Sequence, residues 1–129
     1  MNKQPLLNRL EHNLLAMQMD DEEPLFILYA DTMRDIEGAT LHLIIQALVK
    51  LVRLGFSKCY FVANGDFPSN VEWKPIDKPT IEGLKRHANA YSEEDLKTYP
   101  KYGDYYFQIT DKGMIEGAKD IYASYYSES

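Results

Sequence analysis

With 129 residues, 45% of them hydrophobic and 26% charged, the chain has the size and composition of one self-supporting globular domain. Its formal net charge of −6 disfavours a polyanion as the default partner, and its single cysteine, Cys59, excludes an internal disulfide and a multi-cysteine metal site, which suits a reducing cytoplasm. No apolar run reaches membrane-spanning length, and Arg9, Glu11 and His12 interrupt the N-terminal stretch before a signal-peptide core develops. Neither membrane insertion nor export is expected.

Between Lys3 and Met19, apolar residues at Leu6, Leu7, Leu10, Leu14, Leu15 and Met17 recur at helical spacing and predict a first helix. Asp20-Asp21-Glu22-Glu23 then precedes Pro24, which puts acidic residues at the positive end of a second helix carrying Leu25 to Ala30, Met33 and Ile36 and stopping near Gly38. Thr40 is the expected N-cap of a third helix running through Leu54, closed by Gly55 in the left-handed conformation. The segment FSKCYFVA reads as a strand entering a turn at Asn64-Gly65-Asp66. A long connection follows, about residues 64–104, with Pro68, Pro75, Pro79 and Pro100 and short helices expected to begin at Thr80 and Ser92. Tyr105 to Ile109 supplies the partner strand, and Met114, Ile115, Ala118, Ile121, Tyr122 and Tyr125 predict a closing helix of period 3.6.

Three helices, a strand, a long insertion, a second strand and a helix follow the order of a winged helix-turn-helix domain. The segments ALVKLVRLGFSKCYF (Ala47–Phe61) and YYFQITDKGMIEGA (Tyr105–Ala118) resemble the recognition-helix end and the wing exit of MarR- and PadR-type regulators. They are also similar to small uncharacterised bacterial proteins with a glycine-aromatic strand and a T-x-x-G strand exit. The resemblance implies one α+β, winged-helix-like domain over residues 1–129, in which three helices pack on a small antiparallel sheet. Within it, Thr110-Asp111-Lys112-Gly113 is expected to be structural, because the first amides of a helix that follows a strand directly need a side-chain acceptor.

If the third helix reads DNA, its readers are His42, Gln46, Lys50 and Arg53, spaced by four, four and three along one stripe, with Lys58 on a phosphate. Ten of the fifteen positions from Thr40 to Leu54 are apolar, so the same stripe is also what amphipathicity leaves on the wet side of a mostly buried helix. That second reading is preferred, because the clustered cations are few against the phosphate contacts that a DNA-binding protein makes. The insertion carries Trp73, Arg86 and Tyr91, and the C-terminal end carries Tyr122 and Tyr125, residue types that anchor protein interfaces and also pin loops to a core. The three histidines belong to separate segments, and no hydrolase, phosphate-loop or metal signature is present. The expectation is a cytoplasmic, non-enzymatic protein with no cofactor, which binds a protein partner or its own copy. A DNA-binding regulator is the alternative.

Overall fold

Most helices begin where a short polar side chain can take up a free backbone N–H. Asn8 caps α1 (Arg9–Ala16) by accepting from Glu11 N, while the Glu11 carboxylate accepts from Asn8 N, each at 2.8 Å. Threonine does the same with the amide three residues on at Thr40 for α3 (Leu41–Arg53), Thr80 for α4 (Ile81–Asn89) and Thr110 for α5 (Asp111–Gly117). Beyond α3 the chain turns at Gly55, whose φ of +82° is costly for any residue with a Cβ. The exception is α2 (Leu25–Asp35). Its N-cap is Pro24, which has no side-chain bond to give, and the carboxylate of Asp104 takes the Phe26 N–H instead, at 3.0 Å.

The computed structural model describes residues 4–63, 73–93 and 103–126. Among them the five α-helices and a 3₁₀ turn (Asp120–Tyr125) accompany one antiparallel sheet of order β1-β4-β2-β3, an α+β architecture. The two strands expected from the sequence, β2 (Ser57–Val62) and β4 (Asp104–Ile109), lie side by side at its centre with Cys59 opposite Phe107. Two short strands complete the edges: β1 (Glu23–Pro24) against β4, and β3 (Trp73–Ile76) against β2. One sheet face carries Cys59 and Phe107 into a core with Leu14 and Leu15 of α1, Leu28 of α2, Ile44, Leu48 and Leu51 of α3 and Leu84 of α4. Each of these aliphatic side chains removed from water contributes about 1.5–3 kcal/mol before the entropy of ordering the chain is subtracted.

The junction Thr110 to Gly113 binds the C-terminal end of α3 to the start of α5. Thr110 Oγ1 donates to Gly55 O at 2.6 Å, and Lys112 Nζ donates to Leu54 O at 2.9 Å, placing a cation on the exposed carbonyls that end α3. A Cβ on Gly113 would run into the Phe56 carbonyl, so only glycine lets α5 start this close to the strand entry.

Three expectations need correction. The first helix is shorter than its apolar stripe, because the Asn8 cap starts it at Arg9. The acidic run Asp20 to Glu23 contributes no residue to the first turn of α2. Glu23 pairs in β1, and burial followed by repulsion from Asp21, Asp31 and Glu22 raises its pKa. The closing helix is broken: α5 ends at Gly117, the backbone extends at Lys119 (φ −67°, ψ 139°), and a 3₁₀ turn follows. His12 Nε2 lies 2.9 Å from Gly117 O, the carbonyl that a continued helix would have offered to the amide of Ile121. The expected turn at Asn64-Gly65-Asp66 and the body of the helix expected from Ser92 lie outside the described residues. None of the described helices is long and apolar enough to cross a membrane.

Candidate functional site

The polar stripe of α3 is divided by its neighbours. His42, Gln46 and Arg53 are exposed, but Lys50 is half-buried, with its ammonium 3.0 and 3.1 Å from the two oxygens of Glu11 on α1. The same carboxylate closes the α1 capping box, so Glu11 is fixed in place before Lys50 meets it. At the other end of the stripe, α4 packs beside α3 and brings Lys85 Nζ to 3.4 Å from His42 Nδ1. Lys58 projects from β2 opposite Gln108 and is exposed. The stripe predicted from spacing is therefore present on one helix, with its central charge already neutralised.

The residues proposed for a protein partner separate in a different way. Arg86 is exposed and pairs with Glu82, one turn earlier, at 3.3 Å. Trp73 is half-buried, with its ring edge-on to Tyr60 and Tyr106 on the sheet face away from α3. Tyr91 packs against the core and donates its hydroxyl to Asp104. Tyr122 is a correction: at 1% exposure it belongs to the core, where its ring stacks on His12 and its hydroxyl donates to Glu116 Oε2 at 2.6 Å. Burial first, and then the bond to Glu116, push the Tyr122 hydroxyl up to about 12. Tyr125 is partly covered and donates to Leu7 O at 2.8 Å, so it pins the N-terminal segment. Tyr126 beside it donates to His12 Nδ1 at 2.6 Å, which follows from His12 Nε2 carrying the proton that Gly117 O accepts.

Asp104, which accepts four hydrogen bonds from described residues, carries no signal in the sequence. Only 3% exposed, it accepts from Phe26 N (3.0 Å), His87 Nε2 (2.9 Å), Tyr91 O–H (2.5 Å) and Tyr105 N (2.9 Å), and so joins the start of α2, the insertion helix α4 and the central sheet. An Asp–His pair is the core of many acid–base sites, but here the nearest thiol, Cys59, is pushed up to about 12, mainly by burial and then by the charge of Asp104. A thiol so protonated is no nucleophile at neutral pH. Among the described residues, no group of three His, Cys, Asp or Glu side chains has the arrangement to hold a metal ion.

Two adjoining surface hollows lie elsewhere, along the C-terminal half of α3, apart from another of about 500 Å³ on α4 lined by Ile81, Glu82, Lys85, Arg86 and Asn89. A hollow of about 460 Å³ is lined by Val49, Val52, Arg53, Asp77, Lys78 and Pro79, between α3 and the connection from β3 to α4. A second, of about 350 Å³, adjoins it through Val52 and Asp77 and reaches past Lys58 to Thr110. Arg53 and Lys58 were singled out by the sequence; the apolar floor was not, because Val49, Val52 and Pro79 come together only when α4 docks. In comparison with known proteins, no family model, no curated protein and no solved structure matches the chain.

Proposed function

We propose that the chain is a non-enzymatic protein-interaction module of the cytoplasm, built on a winged-helix-like fold. The fold reading is supported by β1 preceding α2, by α3 leading into β2, and by β4 lying between β1 and β2 as the second wing strand would. Preference for a protein partner over DNA rests on one observation. Lys50, at the centre of the stripe a recognition helix would present, is held by Glu11 at 3.0 Å. Freeing it for a phosphate or a guanine would strip a largely buried carboxylate of its cation, at a cost that a net charge of −6 does nothing to offset.

The exposure of His42, Gln46 and Arg53 favours a second reading, a transcription regulator that sets these three in the major groove with Lys58 on a phosphate. Fluorescence anisotropy with a labelled random-sequence duplex, titrated from low to physiological salt, separates the two. The interaction module shows no binding at low salt. Binding that weakens steeply as salt rises would establish the regulator and remove the preferred reading.

A further inference from the structure

We infer that the groove beside the C-terminal half of α3 receives an extended, acidic segment of a partner protein that also bears apolar side chains. The inference rests on the protein-interaction reading and gives it a place and a chemistry. Its floor, Val49, Val52 and Pro79, offers carbon to apolar side chains, and its volume of about 460 Å³ falls in the range of pockets that hold several of them. Its rim is cationic. Arg53 and Lys78 border this hollow, Lys58 borders the adjoining one, and Asp77 at the junction is the only carboxylate in either lining among the described residues.

Arg53, Lys58 and Lys78 have no carboxylate within salt-bridge distance among the described residues, in contrast to Arg34, Lys50, Arg86 and Lys119, although Arg9, Lys74, Lys85 and Lys112 share that state. What distinguishes the three is that they border an apolar hollow. A positive rim on a chain of net charge −6 attracts an acidic segment, and the apolar floor supplies the desolvated contact that three rim charges alone would not. Nucleic acid fits less well, because an apolar floor offers phosphates nothing and three cations fall short of the ~6–10 phosphate contacts of strong binders. The segment docks through its side chains. The edge strand β3 beside it contains Pro75, which has no N–H to offer an added strand.

The test is selection of 12-residue peptides from a random displayed library against the full chain. The expected winners alternate Asp or Glu with apolar residues, and shift the amide resonances of Val49, Val52, Arg53 and Lys78 in the labelled protein. Reversing both rim charges, Arg53→Glu with Lys78→Glu, should weaken their binding about tenfold, while Arg34→Glu, outside the groove, leaves it unchanged. Unfolding midpoints of the variants check that each still folds. Failure to select binders, winners without excess acid, equal binding to the reversed variant, or shifts confined to another face would each overturn the groove assignment. So would a dimer of the chain that the double reversal dissociates, because the occupant would then be a second copy. Cross-linking of a partner to a different face of the intact chain would likewise refute the groove while leaving the interaction module standing. Salt-sensitive binding of random duplex would remove both.

Discussion

Replacing Asp104 tests how the insertion helix is attached to the rest of the protein. The Asp104→Ala change withdraws one carboxylate from four donors at once: the Phe26 and Tyr105 amides, His87 Nε2 and the Tyr91 hydroxyl. A hydrogen bond to a charged group contributes about 1.5–3 kcal/mol net, and a buried donor left without an acceptor costs about 1–3 kcal/mol. Two considerations reduce the simple total. His87 is 23% exposed and Tyr91 half-buried, so both can turn toward water, and deleting the carboxylate also removes the cost of having buried its charge. The Phe26 amide has no such escape, because it lies at the buried start of α2 where Pro24 supplies no side-chain cap. We therefore expect Asp104→Ala to lower the unfolding free energy by about 3–5 kcal/mol, and Asp104→Asn, which keeps one acceptor oxygen, by about half that. Urea unfolding followed by far-UV circular dichroism measures both, with the slope unchanged if folding stays two-state. A loss below about 1 kcal/mol for the alanine variant would refute the role assigned to this carboxylate.

Three further outcomes are expected. Gly113→Ala should cost about 1–3 kcal/mol in the same assay, since its methyl would have to displace the Phe56 backbone. Cys59, with its thiol pushed up to about 12, should resist alkylation in the native protein at pH 8 and react promptly in denaturant; rapid native labelling would contradict its burial. Spectrophotometric titration should find one tyrosine, lost in Tyr122→Phe, that ionises near pH 12. Because the folded-state pKa of Tyr122 is raised above its ordinary value of 10, the stability it confers is complete below pH 10 and disappears as pH rises from 10 through about 12.

The elements most readable from sequence were those governed by neighbouring residues. Thr40 and Gly55 bracket α3 because a hydroxyl cap and a left-handed glycine act within a few positions, and Thr80 and Thr110 mark their helices in the same way. What stayed hidden depends on distant partners. β1 is two residues long and exists only because β4 pairs with it, while Pro75 makes β3 read as loop although an edge strand tolerates it. The periodicity through Met114 to Tyr125 misplaces the packed face as well as the length of the closing helix: Met114, Ile115 and Ala118 are exposed, whereas α5 packs through Gly113, Glu116 and Gly117, two of them glycines that carry no apolar signal. Of the candidate site, the cationic members Arg53, Lys58 and Lys78 are visible as charge, yet spacing could not reveal that Lys50 meets a carboxylate 39 positions earlier.

The clasp between the two ends of the described chain has a consequence for biosynthesis. Leu7 N donates to Tyr122 Oη at 3.2 Å and Leu7 O accepts from Tyr125, spans of 115 and 118 residues, while His12 meets Tyr126 across 114. Closing loops of that length carries an entropy cost that only the completed native packing offsets. As the polypeptide leaves the ribosome, α1 can pack on α3 once Lys50 has emerged, but its contacts with Tyr122, Tyr125 and Tyr126 must wait about seventy residues longer. A nascent chain stalled after Lys119 would leave the buried imidazole of His12 without its stacked ring, so the seam stays unfinished until Tyr122, Tyr125 and Tyr126 emerge.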